Sequence, residues 1–169
     1  MARPTLSDER ISDLIRMGKK VTYAPRRPTE KGKHNEWDFD VAGDDGSRFS
    51  VFVRQSTMLD DAFSCGLCWL APSGEQIVLV RYNGGSHPHL NSIEKTRLPK
   101  HSHIHRATER YMKKGRSEGY AELTDLYSDS DIDGALRTLI DECRISGIDG
   151  LPGKKIPNGP NQLTLKWDN

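Results

Sequence analysis

Five of the six histidines of this chain, His87, His89, His101, His103 and His105, fall within a window of 19 residues. Histidine can both take and give a proton near neutral pH, and it is also the commonest metal ligand. The surrounding stretch, residues 81–116, contains nine lysines and arginines but only two acidic residues. A histidine cluster inside a basic segment predicts a functional site for an anionic ligand, with phosphate as the obvious candidate.

Metal-free cleavage of RNA is the chemistry that this combination supports best. One histidine would take the proton of a 2′-hydroxyl, another would protonate the leaving 5′-oxygen, and arginines would stabilise the charge that builds on phosphorus. We predict His87, His103 and His105 as the acid–base set. Arg81 and Arg106 would bind the phosphate, with Arg54 in reserve. The full set of predicted phosphate or nucleic-acid contacts is Arg54, Arg81, Arg106, Arg110 and Tyr111, the last as a stacking or hydrogen-bonding group.

A metal centre is the alternative use of the same histidines. His87, His89 and Glu94 have the H-x-H-x4-E spacing of a cupin-type ligand set, and His103 with His105 could complete it. The strongly cationic stretch opposes binding of a further dication, so we expect no cofactor and keep the metal as a second alternative. In a third interpretation the histidines are half-buried strand residues that bind backbone groups.

The three cysteines, Cys65, Cys68 and Cys143, do not indicate a zinc or disulfide site. The C-x-x-C pair lies in an apparent strand, where its side chains would point to opposite faces, and no second pair exists. We therefore expect thiols that fill the core. The sequence has neither a signal peptide nor an apolar run long enough to span a membrane, which predicts a cytoplasmic protein with no membrane partner.

Alternating apolar residues predict strands between residues 37 and 82, separated by Gly-rich or Pro/Gly turns and joined as an antiparallel meander. Helical periodicity predicts helices over 7–17, 106–114 and 130–145. The expected fold is α+β, with a four- or five-stranded antiparallel sheet and the N-terminal and C-terminal amphipathic helices packed on one face. Residues 1–149 would form this single domain, with a basic arm at 19–34, and residues 150–169 an extended tail.

Three blocks of the sequence, RYNGGSHPHLN, HIHRATERY and GYAELTDLYSD, resemble a family of small bacterial and phage proteins. The first two also resemble, more distantly, the TumE-type toxins of toxin–antitoxin pairs, which carry an Arg–aromatic–Asp turn, a His pair and a later P-x-H-x-H, here Pro99 to His103. The resemblance covers residues 48–145. The chain departs from it where His87 and His89 flank a proline and where Asn83 replaces a common acid.

The resulting functional prediction is a nucleic-acid-acting protein, a toxin-like endoribonuclease that works without metal. Its partners would be RNA or another phosphate-bearing ligand, with an antitoxin or a host protein as a protein partner. The alternative is a non-catalytic phage or plasmid protein whose cationic face binds nucleic acid or inhibits a host defence. In that case the histidines would only shape the binding face.

Overall fold

The computed structural model describes residues 3–25 and 28–148, together with two short strands further along the chain. Most of the predicted tail at 150–169 therefore lies outside the described residues. The helices are α1 (Asp8–Arg16), α2 (Glu109–Met112) and α3 (Ile132–Glu142). The strands are β1 (Lys19–Tyr23), β2 (Thr29–Lys31), β3 (His34–Gly43), β4 (Arg48–Ser56), β5 (Phe63–Leu70), β6 (Gln76–Asn83), β7 (His89–Asn91), β8 (Thr96–Leu98), β9 (His103–Arg106), β10 (Tyr120–Leu123), β11 (Ile145–Ser146), β12 (Lys154–Lys155) and β13 (Thr164–Leu165).

The fold is α+β, and nine strands form its main sheet, in the order β10-β9-β6-β5-β4-β3-β1-β11 with β2 beside β3. Every pair in this sheet is antiparallel except β1 with β11. The predicted meander is present as β3 to β6. The expected total of four or five strands is wrong, because short polar segments on either side of the meander also pair with it. Their few apolar residues gave no periodic signal.

The segment at 19–34, predicted as a basic arm, contributes β1 and β2 to the main sheet. Lys19 is 2% exposed, and its Nζ donates to the carbonyls of Ile15 at 2.8 Å, Met17 at 2.7 Å and Cys143 at 3.0 Å. These carbonyls belong to the ends of α1 and α3, where helices leave acceptors unpaired. Burial lowers the pKa of Lys19 to about 8. This lysine joins both helices to the sheet.

Alternate residues of β3 to β6 form a core on one face of the sheet, and the buried residues of α1 and α3 join the same apolar cluster. Ser7 caps α1 by accepting from the backbone N–H of Arg10. Cys65 and Cys143 lie in the core, whereas Cys68 is half-buried and faces the other way, so only two thiols fill the core.

Within the described residues, no helix has the length and apolar character needed to cross a membrane. The three helices have 9, 4 and 11 residues, and a span requires about 20.

Candidate functional site

Strand pairing aligns polar side chains in two rows on the face of the sheet that is opposite the core. Residues directly paired across antiparallel strands point to the same face. The first row, read from β4 to β9, consists of Phe52, Gly66, Arg81 and His105. The second row consists of Arg54, Ser64, Asn83 and His103. The register thus places two predicted arginines and two predicted histidines on one surface.

The segment after β6 folds back over these rows and adds two more histidines. The ring centroid of His87 is 5.3 Å from that of His103, and His89 lies 4.5 Å from His105 and 6.0 Å from His103. The rings of His103 and His105 are 5.1 Å apart. The four rings form one group, which we call the histidine cluster: His87, His89, His103 and His105.

The turn that carries His87 is fixed by close backbone packing. A Cβ on Gly84 would lie 2.3 Å from the carbonyl oxygen of Asp61, so only glycine fits there. The N–H of Gly85 donates to the carbonyl of Asp129 at 3.1 Å. Tyr127 adds a further link, because its hydroxyl donates to the carbonyl of Asn83 at 3.0 Å. The segment before α3 therefore holds this turn against the sheet.

Backbone carbonyls set the tautomers of three rings in the cluster. His89 Nε2 lies 2.9 Å from the carbonyl oxygen of Gly119, and His105 Nδ1 lies 2.9 Å from that of Glu118. His103 Nδ1 is 2.8 Å from the carbonyl of His101. A carbonyl can only accept, so each of these nitrogens carries the hydrogen, and the other nitrogen of each neutral ring has a lone pair. These lone pairs can accept a proton.

Burial lowers the pKa of two of these rings. His105 is 7% exposed, and burial, followed by the neighbouring His103 and His89, lowers its pKa to about 3. His103 is fully buried, and burial lowers its pKa as well. His87, by contrast, is exposed at the rim of the cluster. The cluster therefore combines two buried rings of lowered pKa with a more exposed ring at its rim.

The two arginines beside the cluster are paired with carboxylates. Arg81 forms an ion pair with Glu118, and its Nε is buried without a hydrogen-bond partner among the described residues. Arg54 pairs with Asp38 and with Glu36, both of which lie on the adjoining strand β3. The guanidinium carbons of both arginines lie within 6 Å of the Phe52 ring, at 5.6 and 5.8 Å, which is cation–π range.

Two cavities open on this face. The first, of about 360 Å³, has Arg54, Ser64, Arg81, Asn83, His87 and His105 in its lining. The second, of about 280 Å³, is lined by Arg81, His105, Arg116, Glu118 and Gly119. Arg81 and His105 line both, so the two cavities adjoin at this pair.

The remaining predicted site residues lie elsewhere. Arg106 alternates with His105 along β9, so it points to the core side, where it pairs with Glu142 at 3.2 Å and lines a separate cavity of about 610 Å³ beside α1. Tyr111 is 1% exposed and donates to Glu94 at 2.6 Å, and Arg110 pairs with the same carboxylate. The structure does not bring Arg106, Arg110 or Tyr111 to the histidine cluster.

His101 also stays outside the cluster. It binds Asp125 at 2.9 Å and Asp129 at 3.2 Å, and the bond to Asp125 is the main cause of its raised pKa. Glu94, the carboxylate of the cupin-type spacing, accepts a hydrogen bond from Tyr111 and forms an ion pair with Arg110. Among residues 3–25 and 28–148, no three His, Cys, Asp or Glu side chains are placed to hold one metal ion.

Sequence reasoning missed three polar residues of the site. They are Asn83, Arg116 and Glu118, none of which was among the predicted site residues. Asn83 is paired with His103 in the sheet, and its Nδ2 lies 3.3 Å from His103 Nε2. Strand register, which the sequence did not specify for β9, is the signal that would have identified it.

Comparison of the chain with protein-family models, with curated proteins and with solved structures finds no match in any of the three. The fold and the site geometry are therefore the grounds on which a function is assigned.

Proposed function

We propose that this protein is a toxin-like endoribonuclease that cleaves RNA without a metal ion, with the histidine cluster as its acid–base centre. The observation that carries the proposal is the placement of His87 and His105 in the lining of one cavity together with Arg81 and Arg54. This set supplies a proton acceptor, a proton donor and cationic groups for one phosphate. The resemblance of the sequence blocks to TumE-type toxins points in the same direction.

His105 is the proposed base. Its Nε2 has a lone pair because Nδ1 donates to the carbonyl of Glu118. A pKa of about 3 makes the free ring a weak base. Entry of a phosphate anion next to the ring raises that pKa, because an opposite charge favours the protonated form. The substrate itself would therefore bring His105 closer to the pKa that general-base catalysis requires.

The reaction follows from these positions. His105 Nε2 takes the proton of the 2′-hydroxyl, and the 2′-oxygen forms a bond to phosphorus. The bond between phosphorus and the 5′-oxygen breaks, and the leaving oxygen takes a proton from the protonated ring of His87. The products are a 2′,3′-cyclic phosphate and a 5′-hydroxyl. Arg81 stabilises the negative charge on the phosphoryl oxygens, a contribution that often exceeds that of proton transfer.

His103 acts as a positioning residue in this scheme. It is fully buried, and its two ring nitrogens already lie next to the carbonyl of His101 and the amide of Asn83. Its ring contacts those of both His87 and His105. Its proposed role is to hold the acid and the base at a fixed separation.

The test uses a labelled single-stranded RNA incubated with the purified chain in excess EDTA. We expect cleavage to fragments that end in a 2′,3′-cyclic phosphate, and no cleavage of the DNA of the same sequence, which lacks the attacking hydroxyl. Replacing His105→Asn or His87→Ala should lower the rate roughly 100-fold or more. The matched control is His101→Gln, a histidine outside the cluster, which should retain most of the rate.

Two results would contradict the proposal. Tight RNA binding without cleavage under any condition would favour the non-catalytic nucleic-acid-binding protein. Cleavage that EDTA abolishes and added zinc restores would replace the metal-free mechanism by a metal-dependent one.

A further inference from the structure

The two cavities on the face of the sheet opposite the core meet at Arg81 and His105, two of the residues to which catalysis is assigned. Arg81 and His105 face each other across β6 and β9, and both line the first and the second cavity. His87 and Arg54 lie on the side of the first cavity, and Arg116 lies on the side of the second. A ligand that reaches from one cavity into the other must therefore pass over Arg81 and His105.

From this arrangement we infer that the cavities are two nucleotide subsites on either side of the reacting phosphate, and that Arg116 binds the backbone phosphate of the second. The inference rests on the proposed function and deepens it. The ligand is then a single-stranded polynucleotide with at least one nucleotide on each side of the bond that is cleaved.

The size of the cavities supports single strands over duplexes. The volume of about 360 Å³ is near the lower end of the range for small-molecule pockets, roughly 300–1,000 Å³, and the volume of about 280 Å³ is just below it. Each can hold one nucleotide unit but not a base pair. The inner rings are also nearly buried, with His103 at 0% and His105 at 7% exposure. Only a strand whose backbone can bend into the groove brings a phosphate within hydrogen-bond distance of His105, which lines both cavities.

The pairing of the arginines singles out Arg116. Arg54 and Arg81 already bind carboxylates, whereas no carboxylate of the described residues forms an ion pair with Arg116, whose side chain is exposed. A phosphate can therefore bind Arg116 without displacing a partner. A guanidinium is well suited to this, because its planar fork binds two phosphate oxygens at once.

The backbone around Arg116 is fixed by the same loop that orients the cluster. The N–H of Arg116 donates to the carbonyl of Tyr111 at 3.0 Å, and its own carbonyl accepts from Gly119 at 3.2 Å. The next residues along this loop, Glu118 and Gly119, supply the carbonyls that bind His105 and His89. Substrate binding by Arg116 and orientation of the rings are thus properties of one loop.

The experiment measures binding of a fluorescent 2′-O-methyl tetranucleotide, which has no free 2′-hydroxyl and cannot be cleaved. Fluorescence anisotropy with the full chain gives Kd for wild type, for Arg116→Gln and for Lys114→Gln. Lys114 is the matched control because it is exposed and lines neither cavity, and Lys114→Gln removes the same charge as Arg116→Gln. We expect Arg116→Gln to weaken binding roughly tenfold, in line with loss of a charged hydrogen bond, and Lys114→Gln to change Kd less than twofold.

Equal losses in the two variants would overturn the subsite assignment, because they would reflect net charge alone. So would a blunt-ended duplex that binds as tightly as the single strand. The result is independent of the proposed chemistry. Selective loss with Arg116→Gln, in a protein that cleaves no RNA, would support the subsites and reject the nuclease. Cleavage of RNA with no selective effect of Arg116→Gln would support the nuclease and reject the subsites.

Discussion

Asn83 is the side chain that contacts the second ring nitrogen of the buried His103. Its Nδ2 lies 3.3 Å from His103 Nε2, and its Oδ1 is buried without a partner among the described residues. An amide can serve a neutral ring as a donor and a protonated ring as an acceptor, since its two ends exchange by a flip. A carboxylate at this position could serve only the protonated ring, because a carboxylate can only accept.

Replacing Asn83→Asp therefore tests the link between this position and the cluster. A carboxylate at hydrogen-bond distance from Nε2 favours the protonated ring, so the pKa of His103 should rise by roughly one to three units. NMR titration of the histidine ring protons measures the change. His101, which already binds Asp125 and Asp129, is the internal reference. An unchanged pKa of His103 would mean that residue 83 does not contact this ring in solution.

Among the elements, the edge strand β10 is protected by a side chain rather than by another strand. Asn91 donates to the carbonyl of Ala121 at 2.9 Å and accepts from its N–H at 2.8 Å, so one amide satisfies both backbone groups of that residue. His89, two residues earlier on β7, binds the carbonyl of Gly119 at the start of the same edge. Exposed strand edges with unpaired groups invite association with other chains. The β7–β8 hairpin thus covers the edge and places His89 in the cluster.

The variant Asn91→Ala should destabilise the protein by about 2 kcal/mol, because two buried backbone groups of Ala121 lose their partners. Urea unfolding of Asn91→Ala and of Leu90→Ala provides the comparison, since Leu90 is the exposed neighbour on the same strand and is 46% exposed. Leu90→Ala should change the free energy of unfolding by less than about 0.5 kcal/mol. Equal effects of the two variants would show that the amide of Asn91 does not support β10.

The sequence predicts a strand best where one face of that strand is buried, because apolar and polar residues must then alternate along it. Trp37, Phe39 and Val41 on β3, like the corresponding residues of β4 to β6, point to the core and are nearly fully buried. β9 also follows a period of two, but its two buried histidines lie on the face opposite the core, and the sequence did not show which strand it pairs with. β1, β10 and β11 have too few apolar residues for a periodic signal and depend on tertiary pairing.

Across the whole molecule, proximity in sequence was an unreliable indicator of proximity in the site. Arg106 follows His105 directly, yet strand alternation sends it to the core side, where Glu142 binds it. Arg54 lies far from the cluster in sequence, but the strand register places it in the same row as His103, with β5 and β6 between their strands. The clustering of His87, His103 and His105 could be predicted from the sequence. The spacing of His103 and His105 places them on one face of a strand, and a tight turn brings His87 back to that face. The other partners depend on the register of the whole sheet.

Three histidines also contribute to the pH dependence of the stability of the whole protein. The folded pKa of His105 is about 3, below the unfolded value near 6.5, so the unfolded chain binds the proton first. Its contribution to stability is complete above about pH 6.5 and is lost as the pH falls. From this residue alone, the free energy of unfolding should decrease by about 2 kcal/mol between about pH 7 and about pH 5. His103, whose pKa is also lowered, acts in the same direction.

His101 should act in the opposite direction, because its folded pKa is raised by Asp125 and Asp129. Its contribution is present below about pH 6.5 and is lost as the pH rises through the folded pKa. Urea unfolding at several pH values should therefore give a shallower loss of stability in acid for His105→Gln and a steeper loss for His101→Gln. Since each variant removes one histidine from the same strand region, a general effect of the substitution cannot produce opposite changes of slope. Parallel pH curves for the two variants would contradict the assignment of His105 to a buried cluster and of His101 to a surface ion pair.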